Sequence, residues 1–296
     1  MEEIVYLEEP DLRSPYLIIG FEGWPNAAEI SSSSILCLIE GLKASKFASI
    51  PAEGYYQMSD ARPVAVIKEG RLIHFEYPGN HFYYSRQSFS KDVILFYGVE
   101  PHLRWSAFAD CILSLADTYR VSQIFLLGGT YDYVPHTYPP IVSGLFNHDD
   151  LREGMLQAGI RLTEYTGPIS IHTFLLESAR KRGLKAISLW GHAPQYLQTK
   201  NMRVVCTVLK KLVRLARIVI DLSEVERSSD YFDRQVSQLV EQDPKLQEVI
   251  ARLEEAYKES GRSVPIPEKE EGAKEDKVVY IEAFLKKQDD EEKKED

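Results

Sequence analysis

Unbroken apolar runs of strand length, each followed by a stretch with helical spacing, recur between residues 15 and 220 and limit the fold more than any other feature. Tyr16-Leu17-Ile18-Ile19-Gly20-Phe21 is one such run; residues 92–97, 123–127 and 185–190 are others, and the third ends in Gly128-Gly129. A strand with one wet face alternates apolar and polar residues. A run that is apolar throughout is buried on both faces, which is the condition of a parallel sheet held between two helical layers. The helical stretches cover residues 31–45, 102–119, 168–182 and 202–217. In the first, Ile35, Leu38, Ile39 and Leu42 fall on one face of a 3.6-residue period. The third reads as a helix with Pro168 in its first turn and Gly183 just past its end. Residues 64–67 and 72–77 flank Lys68-Glu69-Gly70-Arg71, a β-hairpin signal. The pattern predicts an α/β fold: a three-layer α/β/α sandwich on a mostly parallel, mixed sheet, with one β-hairpin added.

Beyond the core, assigned to residues 1–220, the pattern changes. Residues 221–260 read as a helical hairpin broken at Asp243-Pro244, packed on the core or at an oligomer interface. Its apolar stripe is Leu239, Leu246, Val249, Ile250 and Leu253. From residue 261 Pro, Glu and Lys dominate, which predicts a mostly disordered acidic tail with a short apolar island at residues 278–285. Residues 263–296 hold 12 acids against 7 bases, so half of the chain's net charge of −10 lies there. An acidic chain repels phosphate backbones, and no nucleic-acid partner is expected. Cys37, Cys111 and Cys206 form no CxxC pair, which argues against a zinc knuckle and fits a reducing cytoplasm. Met1-Glu2-Glu3-Ile4 lacks the basic and apolar pattern of a secretory leader, and no run of ~18 apolar residues offers a membrane span.

In open α/β sheets, sites collect where strand carboxyl ends feed loops. Four such segments concentrate ionisable and aromatic residues: 20–29, 98–105, 128–137 and 189–196. They supply the candidate binding rim of Glu22, Trp24, Asn26, Glu100, His102, Arg104, Tyr131, Asp132, His136 and His192, all expected in one neighbourhood.

The same segments carry a family resemblance. Residues 20–28, 100–105, 128–136 and 188–196, in that order, resemble the proteasome assembly chaperone 2 family in its prokaryotic branch, over about residues 15–260. The resemblance implies a phosphorylase/hydrolase-like three-layer sandwich, homo-oligomers among prokaryotic members, and dimeric chaperones of proteasome α-rings among eukaryotic ones. Some members are described as ATP-grasp-like or as carboxylate-amine ligases, for which these residues offer no support. Asn26-Ala27-Ala28 stands where the family typically has Asp-Ala-Gly, and Tyr138 where an Arg is common. Archaeal relatives are thought to dock on proteasomes through a C-terminal hydrophobic-Tyr-any tripeptide. Here Lys294-Glu295-Asp296 does not match it and Val279-Tyr280-Ile281 is internal, so no tail insertion is expected.

Each rim residue has a chemical and a plain reading. Glu22 and Glu100 offer an acid and a base, or metal donors with His102 and His136, but HExxH and DxD are absent and no metal or other cofactor is expected. The plainer reading of Glu100 is an i,i+4 pair with Arg104 at a helix start. The three histidines His102, His136 and His192 suit a ligand pocket or ordinary loop hydrogen bonds equally. Trp24, Trp105 and Trp190 suit stacking on a ligand or core packing, with packing the expectation. No GxSxG elbow exists, and neither Ser143 nor Ser188 has a recognisable base beside it; Gly128-Gly129 lacks the GxGxxG and P-loop patterns. The expected function is a homo-oligomeric assembly factor or interaction scaffold, a trimer by resemblance, bound to itself or to another protein complex. It is expected to be non-enzymatic, the alternative being a small-molecule-binding protein or enzyme working at the strand carboxyl ends.

Overall fold

The computed structural model describes residues 4–260, so the expectations for residues 261–296, including the apolar island and the tail's docking, lie outside the described residues. In chain order the elements are β1 (Val5–Tyr6), β2 (Tyr16–Glu22), α1 (Ile30–Gly41), β3 (Ser45–Ser49), β4 (Val64–Lys68), β5 (Arg71–Glu76), β6 (His81–Ser85), β7 (Val93–Val99), α2 (Trp105–Thr118), β8 (Gln123–Asp132), β9 (Val142–Phe146), α3 (Arg152–Gln157), β10 (Arg161–Leu162), α4 (Ile171–Lys181), β11 (Ala186–Pro194), α5 (Met202–Ala216), α6 (Ser223–Gln242) and α7 (Pro244–Ser260). Nine strands form one sheet in the order β1-β3-β6-β7-β2-β8-β11-β9-β10. Its centre, β7-β2-β8-β11, is parallel; the strands flanking that centre, β6 and β9, join it antiparallel. The fold is the expected α/β three-layer sandwich.

The central strands are apolar throughout because each residue has a helix layer to face. Leu17, Ile19, Phe21, Ile94, Phe96, Ile124 and Leu126 pack with Phe108 and Ile112 of α2 and Ile171 and Leu175 of α4. The residues between them, Ile18, Leu95, Phe125 and Leu127, pack with Ile35 and Leu38 of α1 and Val205 and Leu209 of α5. Full burial of such a side chain contributes about 1.5–3 kcal/mol.

Several element ends differ from the sequence expectation for identifiable reasons. The helix expected over 31–45 stops at Gly41, where Lys43 takes a left-handed φ of 49° and the Ala44 N–H bonds back to the Ile39 carbonyl, 2.9 Å; Ser45 then opens β3. Pro168 stands outside α4, whose cap is Ser170, a hydroxyl accepting the His172 N–H at 3.2 Å. Strand β8 does not end at Gly128-Gly129 but runs through them to Asp132. The two glycines are demanded by neighbours on opposite faces. A Cβ on Gly128 would lie 3.1 Å from Trp190 and His172, and one on Gly129 would lie 2.5 Å from the Ala27 carbonyl oxygen and 2.8 Å from Ile30.

Two further features bear on function. Among the described residues, strands β4 and β5 pair only with each other, and every residue of both is exposed. The stripe on α6 and α7 is covered by the chain itself: Val236, Leu239, Leu246 and Ile250 pack on Tyr196 and Leu197, which follow β11. Val249, counted in that stripe, is exposed. Among the described residues no helix is long and apolar enough to cross a membrane.

The packing at Gly129 gives a direct check. Gly129→Ala puts a methyl against a main-chain oxygen that cannot rotate away, and the expected loss is about 1–3 kcal/mol, the usual cost of overpacking. Urea unfolding followed by circular dichroism measures it. An unchanged midpoint would mean that the turn before α1 does not press on β8.

Candidate functional site

The parallel ladder between β2 and β8 runs from Tyr16↔Gln123 to Gly20↔Leu127 and then opens. Ser31, in the first turn of α1, takes over at that point: its hydroxyl donates to the Leu127 carbonyl at 2.5 Å and accepts the Phe21 N–H at 2.8 Å. The chain reverses over the opening through Gly23, whose φ is 102°. Asn26 then returns as an isolated bridge to Gly129, and the Gly129 N–H bonds the Pro25 carbonyl at 2.8 Å. Chain order turns about β2, since β7 lies on one side of it and β8 and β11 on the other, which is where α/β sheets open a ligand crevice.

A cavity of about 560 Å³ occupies this crevice, walled by Trp24, Asn26, Tyr131 and Trp190 and by Thr199 and Lys200 of the segment after β11. Its floor is held by local bonds. The Asn26 carboxamide oxygen accepts the Ser32 N–H at 2.9 Å, supplying α1 with the cap that Glu29, in left-handed backbone, does not give. The Ala28 N–H donates to the Tyr131 hydroxyl at 3.2 Å. Ala28 itself has a φ of 51°, so the position where the family typically has Gly does adopt a backbone that favours it. Trp24 is 60% exposed and meets Trp190 edge to face at 6.5 Å. The wall thus offers aromatic surface from two tryptophans and a cation from Lys200.

The ten rim candidates do not form one cluster. Trp24, Asn26 and Tyr131 line the cavity. Glu100 braces it: its carboxylate accepts the Trp24 N–H at 3.1 Å and the Ile171 N–H, at the start of α4, at 2.8 Å. Burial raises the pKa of Glu100, with those two N–H groups and His102 pulling the other way. No ion pair joins Glu100 to Arg104 among the described residues. Arg104 lies over the Tyr55 ring at 5.4 Å, a contact its left-handed φ of 55° helps to set. His102 also leaves the rim, its Nδ1 accepting the Gln57 N–H at 3.1 Å. The Pro101 turn carries both side chains to the segment after β3. Glu22 follows Phe21 by one residue and so points to the other sheet face, where its carboxylate accepts the Tyr97 hydroxyl. Glu22 and Glu100 therefore do not act as a pair. Among the described residues no three His, Cys, Asp or Glu side chains gather as metal donors.

His136 lies outside the crevice, lining a small pocket with His192; its backbone N–H and its Nδ1 are both 2.7 Å from the Tyr196 hydroxyl, while Arg203 donates to its carbonyl. Asp132 and His192 form a third group with Ser143, a residue the sequence left without a base. His192 Nδ1 is 2.6 Å from Asp132 Oδ2, and His192 Nε2 is 2.8 Å from Ser143 Oγ. Ser188 also has an imidazole in space, the enclosed His172, at 3.2 Å. Neither pairing has a sequence signal, because the partners lie 49 and 16 residues apart on separate elements.

A family model described as the PAC2 family matches residues 20–240, which include the whole crevice. The chain belongs to the PAC2 family. Solved structures agree. A proteasome-assembly chaperone homologue from Mycobacterium tuberculosis is 25% identical with a TM-score of 0.73, covering 79% of this chain and 99% of its own. A PAC2 family protein from Streptomyces avermitilis is 28% identical, with a TM-score of 0.71 and the same coverage. An archaeal proteasome activator from Pyrococcus furiosus, 22% identical and with a TM-score of 0.63 over 81% of this chain and 99% of its own, shares the fold. No curated protein matches the chain. All four resembling segments lie within the matched residues 20–240.

Two buried histidines are expected to make the PAC2 fold of this chain acid-sensitive. Burial first, then Arg203, push His136 from 6.5 down to about 4, against a smaller pull from Glu254. Burial alone pushes His172 down to about 3. Both take up a proton in the unfolded chain near pH 6.5 but resist it when folded. Their contribution is therefore complete above pH 6.5 and is lost as pH falls toward 4 for His136 and 3 for His172. The urea midpoint is expected to drop between pH 7 and pH 5, with a shallower drop in His136→Gln. A midpoint that stays flat over this range would contradict the neutral, buried state of both rings.

Proposed function

We propose that the chain is an assembly factor of the proteasome-assembly type, acting through protein contacts as a homo-oligomer, with a trimer as the assembled state. The observation that carries this reading is the β4–β5 arm. Val64, Val66, Ile67, Leu72, Ile73 and Phe75 are each 40–66% exposed, on a ribbon whose residues are all open to solvent. A lone two-stranded ribbon is marginal in water, and an apolar arm of this kind calls for a covering surface. The stripe on α6 and α7 makes no such demand, because Tyr196 and Leu197 already cover its buried residues. Membership of the PAC2 family and likeness to the mycobacterial assembly-chaperone homologue support a protein partner. The arm's first partner is a second copy of the chain; a proteasome particle is the partner of the assembled form. The role is non-enzymatic at this surface, which presents apolar side chains and no nucleophile with a base. The setting is the cytoplasm, a reading supported by Cys37 and Cys206 standing as thiols without a disulfide.

Light scattering on the purified chain is expected to give three times the 33.9 kDa monomer mass at micromolar concentration. Ile67→Asp with Phe75→Asp, both at exposed positions in the monomer, is expected to return the monomer mass with the circular dichroism spectrum of the folded chain retained. Capture of purified 20S particles by the wild type and not by the double variant would support the partner assignment. A monomeric wild type, or an assembly that survives both substitutions, would refute the role given to the arm.

A further inference from the structure

Asp132, His192 and Ser143 come from three adjacent strands, β8, β11 and β9. Strand parity places all three on one face. Gly129, Gly191 and Gly144 each turn toward residues of the α1 and α5 layer or of α3: Ile30 for the first, Val204 and Val208 for the second, Met155 for the third. Their chain neighbours, Asp132 by the same alternation, therefore face the layer of α2 and α4. Register completes the alignment, with Ser143 opposite Trp190 and Asp132 opposite Pro194, on either side of His192.

The hydrogen bonds have a defined direction. The Asp132 carboxylate is an acceptor only, fixed by the Tyr133 N–H at 2.7 Å on Oδ1, so Nδ1 of His192 carries the hydrogen shared with Oδ2. That leaves the Nε2 lone pair to accept the Ser143 hydroxyl at 2.8 Å. A hydroxyl paired with an imidazole, itself oriented by a carboxylate, is the arrangement that activates a serine nucleophile, recognised by geometry and not by sequence position. The group is reachable: the His192 side chain is 15% exposed, that of Asp132 13%, and Ser143 is half-buried. The second serine–histidine pair, Ser188 with His172, is fully enclosed and offers no such access.

We propose that Ser143, His192 and Asp132 form a nucleophilic site that hydrolyses carboxylic esters, an activity beyond the assembly role and separate from the arm. As Ser143 Oγ adds to the ester carbonyl carbon, its proton passes to His192 Nε2. The tetrahedral adduct collapses, the C–O bond to the alcohol breaks, and the leaving alkoxide takes the proton from His192. Water then adds to the acyl group on Ser143, giving its proton to the same nitrogen, and collapse releases the carboxylic acid and restores the hydroxyl. Asp132 holds the ring through its bond to Nδ1. Ester and water become acid and alcohol, with no other reactant. Esters suit the site better than amides because an alkoxide leaves with less assistance than an amine.

The test uses the full chain with p-nitrophenyl acetate as substrate and phenylmethylsulfonyl fluoride as covalent probe. The wild type is expected to hydrolyse the ester and to carry the sulfonyl group on the peptide containing Ser143. S143A and H192Q are each expected to lower hydrolysis on the order of a hundred-fold, the usual scale of acid–base assistance, while circular dichroism melting stays unchanged. Should S143A fail to fold, S143C retains a side chain of similar size. Its new thiol is expected to react with iodoacetamide faster in the presence of His192 than in the S143C/H192Q double variant. A folded wild type with no modification at Ser143, hydrolysis unchanged in S143A, or equal thiol reactivity with and without His192 would overturn the proposal.

Discussion

One serine hydroxyl holds the place where this sheet divides. Ser31 donates to the Leu127 carbonyl and accepts the Phe21 N–H, so it spans β2 and β8 where their own ladder stops. Without that bridge two main-chain groups, enclosed between layers, would lack partners, at a cost of about 1–3 kcal/mol each. The bridge requires the first turn of α1 to lie close against both strands, and the sequence admits this through Gly20 and Gly129. A Cβ at either would press on α1 or on the turn before it, at 2.9 Å from Ile35 or 2.5 Å from the Ala27 carbonyl. The left-handed backbone at Ala28 and Glu29, the cap supplied by Asn26 and the crevice between Trp24 and Tyr131 all follow from that approach.

The same division sorts the functional groups. Residues at the carboxyl ends of β2 and β8 serve the crevice, while those of β8 and β11 that face α2 and α4 meet Ser143. Glu100 sits between the sheet and α4, tying the Trp24 turn to the first residue of that helix. The exposed arm leaves the chain between β3 and β6, on the far side of β7 from β11 and β9. The arm thus leaves the chain on one side of β7, and Ser143 lies on the other.

How much of this was legible in the sequence depended on burial and on register. The runs that became β2, β7, β8 and β11 announced themselves because both faces are buried, and helix spacing marked α1, α2, α4 and α5. Strands β3 and β6 were not read: Ser-Lys-Phe-Ala-Ser and His-Phe-Tyr-Tyr-Ser mix polar and aromatic residues, as suits antiparallel strands toward an edge. Strand β9 was hidden for a related reason, being short and interrupted by Ser143 and Gly144. The rim was legible as a set of strand ends but not as a geometry. Strand parity sends Glu22 and Glu100 to different faces, and the Pro101 turn takes His102 and Arg104 away to Gln57 and Tyr55. The link from His192 to Ser143 needs the β9–β11 register, which no local pattern contains.

The β4–β5 arm is the proposed surface by which copies of this PAC2 protein join. Amide hydrogen exchange of the full chain, followed by mass spectrometry across a dilution series through the assembly range, tests it most directly. Peptides covering residues 64–76 are expected to be protected at high concentration and to exchange freely once diluted, while β2, β8 and β11 stay protected throughout. Equal exchange of residues 64–76 at every concentration, with concentration-dependent protection on α6 and α7 instead, would contradict it.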